Sequence, residues 1–258
     1  MRKKMTANVM LLVFGTALMG ASTQAQERTS HVDGWDFVVA PYIWMAGIDG
    51  DVTVKGTGAS VDADFGDILD NLDVGAQGYF EIRKNKWGAY LDVMYLKVFS
   101  DAKVGAVDID IESSTTLAGA GVLYRVYEGF AGAEGNPVAT DIFVGGRYVN
   151  LDVDLDFAGV ADVSGGKDWL DPVIGVTYSR DMSKKFLIRT TADIGGFGIA
   201  SDMTWSFSIL GGYRLNRTAN IWFGYRYLDI DYDTGSGAKK FEYDVAMHGP
   251  ILGASFHF

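Results

Sequence analysis

Apolar and polar side chains alternate along segments of about ten residues, and this pattern recurs through most of the chain. In the clearest segment, one face is formed by Trp87, Ala89, Leu91, Val93 and Tyr95. Alternation with a period of two is the pattern of a β-strand, and about ten residues suffice for a tilted strand to cross a bilayer. The apolar face begins and ends on an aromatic residue, as transmembrane strands do at the two membrane interfaces.

Ten segments follow this pattern, near residues 35–45, 74–83, 87–95, 118–126, 142–148, 170–178, 186–193, 205–213, 221–227 and 252–258. They predict an all-β fold, a transmembrane antiparallel up-and-down β-barrel of about ten strands. The first segment is apolar on both faces, so its register stays open. A soluble sandwich or lipocalin-like barrel also alternates, but the aromatic ends of the apolar faces favour the membrane barrel.

The connections between segments predict an orientation. Residues 83–86, 179–184 and 215–219 are short connections, whereas 49–72, 100–113 and 152–168 are long and rich in Gly, Asp and Ser. Short turns are periplasmic and long loops external in outer-membrane barrels. This assignment leaves one tight external turn at 195–201 and one long periplasmic connection at 128–137. Residues 51–65 and 103–112 also alternate. They would make twelve strands if they spanned, but their weak apolar continuity favours extensions above the membrane.

The first 25 residues have the pattern of a cleaved signal peptide. Arg2, Lys3 and Lys4 precede a short apolar stretch, and small residues at Thr23 and Ala25 predict cleavage before Gln26. Residues 26–258 are then a single barrel domain located in the bacterial outer membrane. This part has no apolar run of 18 residues, so no helical span is expected.

Composition excludes several other classes of protein. A net charge of −11 and a sequence pI of about 4.6 argue against nucleic acid as a partner. The absence of cysteine excludes disulfides, thiolate metal sites and a lipid-modified cysteine. We expect no cofactor.

The carboxyl-terminal segment 249–258 alternates and ends on Phe258. It resembles the terminal strand by which outer-membrane barrels are recognised by their assembly machinery. Residues 41–44 and 65–72 are similar to segments of uncharacterised proteobacterial barrel proteins of Gram-negative outer membranes. The resemblance implies the barrel fold, an outer-membrane location in contact with lipid, and Phe258 as the assembly signal, and it implies no catalytic residue.

Nine charged residues fall on the face opposite the apolar one and are predicted to point into the lumen. They are Glu81, Arg83, Asp92, Arg125, Arg147, Asp171, Arg189, Asp193 and Arg226. A ten-stranded barrel is narrow, and unpaired buried charges are costly, so these residues are expected to pair. They form either a structural ion-pair network or a constriction that passes or binds a small polar solute.

The sequence therefore favours a non-enzymatic outer-membrane barrel, either structural or a narrow porin-like conduit or binder for small polar solutes. One alternative is an outer-membrane hydrolase or lipid-modifying enzyme. Its candidate His248 lies on one strand face with Asp244, about 13 Å away at the usual rise, and His31 and His257 lie at the two ends of the domain. Another alternative is a surface adhesin or receptor that acts through its long external loops.

The aspartates of the long connections are expected to form a solvated external face rather than a metal site, although carboxylates suit hard divalent cations. They are Asp62, Asp64, Asp67, Asp70, Asp73, Asp108, Asp110, Asp152, Asp154 and Asp156. Residues 67–72 are predicted to form one helical turn capped by Asp67 that folds over the rim or into the mouth of the barrel.

Overall fold

A computed structural model describes residues 34–104, 107–132, 135–157 and 161–258 of the chain. The predicted signal peptide and His31 lie outside these residues. Twelve strands and one short α-helix follow each other in the order β1 Trp35–Trp44, β2 Gly47–Val54, β3 Thr57–Ala63, α1 Phe65–Asp70, β4 Leu72–Lys84, β5 Trp87–Val104, β6 Val107–Ala131, β7 Asn136–Phe157, β8 Ala161–Asp181, β9 Phe186–Gly195, β10 Met203–Arg214, β11 Ala219–Thr234 and β12 Phe241–His257. No helix in the described ranges is long and apolar enough to cross a membrane.

Ten of these strands close into a barrel in which every neighbouring pair is antiparallel. From β4 to β12 each strand pairs with the next, and β1 closes the ring by pairing with both β4 and β12. Strands β2 and β3 form an additional hairpin that continues along the upper part of β12. The prediction of ten barrel strands, with residues 51–65 as an extension, is confirmed.

In the barrel strands whose register was predicted, which are all except β1, the two faces are the predicted ones. Along β5, Trp87, Ala89 and Leu91 are exposed on the outside, whereas Gly88 and Met94 are buried inside. The open register of β1 is settled by its pairing, which directs Val38, Ala40, Tyr42 and Trp44 towards the lumen. The outside therefore carries an apolar band that begins and ends on aromatic side chains.

Strands β5 to β8 contain 18 to 25 residues, about twice the length that a bilayer requires. Residues 103–112 were expected to be a strand extension, and their described parts, 103–104 and 107–112, are paired extensions of β5 and β6. Residues 152–168 were expected to be a long loop, but their described parts, 152–157 and 161–168, are paired extensions of β7 and β8. A second raised wall is formed by β11, β12, β2 and β3. We call the end with these walls the external end and the end with the short turns the periplasmic end, following the predicted orientation.

Two further predictions about connections are wrong. The long periplasmic connection at 128–137 is instead a continuation of β6 to Ala131 and of β7 from Asn136, with a bulge between Arg125 and Tyr127. Backbone pairing there satisfies amide groups that an open loop would leave to solvent. The helical turn is capped by Asp64 rather than Asp67, in a reciprocal capping box. It contacts β2, but none of its residues is buried, so it does not enter the mouth.

The hydrophobic core lies inside the barrel, in its external half. It is built from inward-facing side chains of seven barrel strands and of the bend after β1, namely Trp44, Ala46, Met94, Leu117, Val149, Trp169, Leu228, Ile230, Tyr232, Tyr243, Val245 and Met247. We call this set the apolar plug. A soluble protein buries its apolar residues in the same way, but here the alternate face of each strand is apolar as well.

Candidate functional site: the barrel lumen

The periplasmic half of the lumen contains a network of five charged side chains. Arg83 donates to Glu81 Oε1 at 2.9 Å and to Asp141 Oδ2 at 3.0 Å. Arg125 donates from Nε to Asp141 Oδ1 at 2.8 Å, and Arg189 donates to Glu81 Oε2 at 3.1 Å. Each carboxylate thus bridges two guanidinium groups from different strands, and all four of these contacts lie inside the barrel.

Two further ion pairs lie nearer the middle of the lumen. Arg226 donates to Asp92 Oδ2 at 3.0 Å, and the other oxygen of Asp92 accepts from the Tyr42 hydroxyl at 2.6 Å. Arg147 donates to Asp193 Oδ1 at 2.6 Å, and Asp193 also accepts a short hydrogen bond from Ser206. Both carboxylates are therefore hydrogen-bonded through both oxygens.

Asp171 is fully buried and its partners are neutral. Its Oδ1 accepts from the Ser201 backbone at 2.7 Å, and its Oδ2 accepts from the Ser201 hydroxyl at 2.6 Å and from Trp169 Nε1 at 3.1 Å. Ser201 belongs to the tight turn between β9 and β10, where the barrel wall is lowest. Asp171 therefore fixes this turn and the Trp169 indole in place.

All nine charged residues expected in the lumen face inward, and eight of them join ion pairs. The structure adds Asp141, which sequence reasoning missed although it pairs with two arginines. Ile142, the first residue of the alternating segment 142–148, faces outward, so the same alternation could have placed its neighbour Asp141 inside. Whether these residues form a constriction remains a prediction.

The external mouth is bridged by aromatic side chains from opposite walls. The Trp169 ring on β8 stacks on Tyr232 of β11 with centroids 4.2 Å apart, and it meets Phe241 and Tyr243 of β12 edge-on. Lys167 lies over the outer side of the same cluster, 5.8 Å from the Tyr232 ring. Stacked and edge-on contacts at these distances add to the free energy gained by burial. The two raised walls therefore meet through the external end of the apolar plug.

Below the apolar plug the lumen contains a chamber of about 220 Å³. Trp44, Met94, Leu117 and Leu228 of the plug form its roof, and it extends downwards to His257 at the periplasmic end. The ion pairs of Arg226 and Arg147 lie in its walls.

The histidine considered for catalysis lies on the other side of the wall. His248 faces outward, where its ring stacks on Tyr227 at 5.9 Å and its Nδ1 shares a hydrogen bond of 2.8 Å with the Tyr225 hydroxyl. These rings belong to the external aromatic edge of the apolar band. In the part of the chain that the structure describes, no group of three or more His, Cys, Asp or Glu side chains is arranged to hold a metal ion.

Together, the fold and lumen define a closed antiparallel β-barrel of the outer-membrane type. No protein-family model matches the chain, and no curated protein matches its sequence. Solved structures to which the chain is similar include Ail, the attachment invasion locus protein of Yersinia pestis, in complex with a heparin analogue. It shares 15% identity over 88% of this chain and 100% of its own, with a TM-score of 0.37. Neisserial surface protein A shares 16% identity over 88% of this chain and 100% of its own, with a TM-score of 0.31. The Escherichia coli outer-membrane protease OmpT shares 8% sequence identity over 90% of this chain and 99% of its own, with a TM-score of 0.31.

Proposed function

We propose that the chain is a non-enzymatic barrel of the bacterial outer membrane whose lumen is sealed, so that it acts as a structural surface protein and not as an open porin. The observation that carries this proposal is the apolar plug. Inward-facing side chains of an open pore are polar and hydrated, whereas here Val149, Leu228 and Ile230 belong to one buried apolar cluster inside the barrel. A dry apolar constriction of this kind blocks ions.

The ion pairs support the structural role over the conduit. Arg83 and Arg147 are both more than nine-tenths buried, and each is already bound to a carboxylate. A passing solute would have to replace these bonds. The position of His248 among outward-facing aromatic rings supports the non-enzymatic part of the proposal, because the side chain faces away from the lumen.

Planar-bilayer recording tests the seal. We expect the purified, refolded protein to give no conductance steps across a range of salts and voltages. The double variant Trp169→Ala/Tyr232→Ala removes the stack that joins the two walls and should give intermittent conductance. A matched variant, Trp205→Ala/Tyr227→Ala, removes a stacked Trp–Tyr pair from the outside of the barrel, with ring centroids 4.7 Å apart, and should stay silent. Steady conductance of the unmodified protein would refute the proposal.

One observation favours a second candidate, a surface receptor for a cationic partner. The outward face of the raised wall formed by β11, β12, β2 and β3 carries eight carboxylates in register, Asp49, Asp51, Asp62, Asp229, Asp231, Asp233, Glu242 and Asp244. Among described residues, Lys240 pairs with Glu242 at 2.9 Å and lies 3.5 Å from Asp233. Binding of a basic peptide such as oligolysine to cells should then fall when Asp51 and Asp244 are changed to Asn, and unchanged binding would dismiss this candidate.

A further inference from the structure

We infer that the periplasmic rim of the barrel is a docking surface for anionic phospholipid, whose headgroup phosphate is bound by outward lysine and arginine side chains. This inference goes beyond the proposed structural role and does not depend on whether the lumen is sealed. Its starting point is the unequal distribution of charge on the outside of the two ends of the barrel.

Among the described residues, the outward side of the periplasmic end carries cations and no carboxylate. Lys84 pairs in register with Trp35 and Trp87, which are exposed on the outside, and Arg180 continues the outward row of Tyr178 on β8. Three further lysines are exposed in the turns between β4 and β5 and between β8 and β9. We call this set the cationic rim, and it consists of Lys84, Lys86, Arg180, Lys184 and Lys185.

The described carboxylates of the same end lie on the lumen-facing side of their strands. Asp36 pairs in register with Arg83, Asp181 with Leu187 and Glu128 with Ala139. The external end is the reverse, because its outward face carries the eight carboxylates of the raised wall. The outside of the barrel is therefore anionic at one end and cationic at the other.

The protein itself does not compensate the charges of the cationic rim. No member forms an ion pair with a carboxylate of the described residues. External lysines differ, since Lys97 is bound to Glu112 at 2.5 Å and Lys240 to Glu242 at 2.9 Å. An anion that docks at the rim thus meets cations that have no counter-charge of their own.

Aromatic rings fix two of these cations at the edge of the apolar band. Lys84 Nζ lies 4.9 Å from the centre of the Trp35 ring, and Lys185 Nζ lies 5.7 Å from that of Tyr213 and 3.4 Å from its hydroxyl. Outward aromatic rings at the end of a transmembrane strand sit at the level of the lipid headgroups. Long basic side chains there keep their charge at the interface. Both ammonium groups are therefore held at the depth of lipid phosphates.

This position selects a lipid over a soluble anion, and an anionic lipid over a zwitterionic one. Phe186 is 54% exposed and packs edge-on against Tyr213, so an acyl chain has an apolar surface directly beside Lys185. A zwitterionic headgroup brings its own ammonium group, which weakens its attraction to the rim. The headgroup of phosphatidylglycerol carries a phosphate and no cation, and basic residues near a membrane surface attract such lipids.

Native mass spectrometry tests the inference on the refolded mature chain, released from micelles that contain equal amounts of phosphatidylglycerol and phosphatidylcholine. The unmodified chain should retain more phosphatidylglycerol. One basic residue near a lipid surface is worth about fivefold in affinity, so Lys185→Gln and Arg180→Gln should each lower the ratio of the two retained lipids by about that factor. Lys185→Arg keeps the charge and should keep the ratio.

Lys240→Gln is the matched control, because it removes the same charge from the external end and should leave the ratio unchanged. Gel mobility of unheated samples shows that each variant is folded.

Four results would overturn the inference. Equal retention of the two lipids by the unmodified chain would show that the rim selects no anion. An unchanged ratio in both Lys185→Gln and Arg180→Gln would place the selection elsewhere. The same loss in Lys240→Gln would show that the ratio follows net charge. Displacement of the lipid by inorganic phosphate would show that the rim binds the free anion. None of these outcomes bears on whether the external mouth is sealed.

Discussion

At the scale of single residues, the stability of the charged side chains in the lumen depends on how they pair and not on their charge alone. Asp141 illustrates this, since it is 3% exposed and receives hydrogen bonds from Arg83 and Arg125 on two other strands. Removing one partner of such a buried group leaves the other charges uncompensated, which costs more than the pair contributes. Surface ion pairs are worth far less.

Asp141→Asn should therefore lower the free energy of unfolding by about 3–5 kcal/mol. Glu128→Gln is the matched control, because Glu128 pairs with the same Arg125 at 3.7 Å but is largely exposed, and it should cost less than about 1 kcal/mol. Urea unfolding of the refolded barrel in lipid vesicles, followed by tryptophan fluorescence, measures both. Equal losses in the two variants would contradict the assigned role of Asp141.

At the scale of elements, the raised wall beyond the aromatic edge of β11 and β12 places like charges opposite each other. Asp244 on β12 pairs in register with Asp51 on β2 and with Asp231 on β11. Burial and the charge of Asp244 raise the pKa of Asp231, which lies outside the membrane-spanning part of its strand. A raised pKa means that the folded state binds protons more tightly than the unfolded state. The resulting destabilisation is present at neutral pH and disappears as the pH falls through the raised pKa.

Asp244→Asn should accordingly stabilise the protein at pH 7 by less than about 1 kcal/mol, and by a smaller amount at pH 4. Asp70→Asn, on the exposed helix α1, supplies a control with no cross-strand partner. Urea midpoints at the two pH values measure the effect. A gain that grows towards acid pH would show that repulsion in this wall is not the cause.

The sequence predicted these elements well where one face was apolar and the other polar. In the segment from Trp87 to Tyr95 the pattern allowed only one strand register, because a shift by one residue would turn every apolar side chain inward. Prediction from the sequence left the register open where both faces were apolar, as in β1. It was wrong where aspartates suggested a loop, as in residues 152–168. Of those aspartates, Asp152, Asp154 and Asp168 are exposed on the paired strands β7 and β8. The contact of Trp169 with Tyr232 joins strands distant in sequence, so no local pattern encodes it.

At the scale of the whole molecule, closure depends on the two ends of the domain. Phe37 and Phe258 exchange backbone hydrogen bonds of 3.1 and 3.0 Å, and these bonds complete the ladder between β1 and β12. A barrel avoids exposed strand edges only when its first and last strands, here β1 and β12, pair with each other. The terminal residue thus has a structural role in addition to the predicted role as assembly signal.

Deletion of Phe258 should reduce the fraction of folded barrel in the outer membrane, because it removes both closing bonds and the terminal ring. Phe258→Tyr keeps both and should fold as the unmodified chain does. The mobility of unheated samples on a denaturing gel separates folded from unfolded barrel. Full folding of the deletion variant would show that closure does not require the last residue.

The central claim, a lumen sealed at its external end above a chamber, is tested most directly by cysteine accessibility. The chain has no cysteine, so a single Ser208→Cys in the chamber wall can be followed without background. In intact cells, a membrane-impermeant maleimide added from outside should label Ser60→Cys on the exposed strand β3 but not Ser208→Cys. Adding Trp169→Ala/Tyr232→Ala to the Ser208→Cys variant should make the chamber reactive. Rapid external labelling of Ser208→Cys with the plug intact would contradict the account.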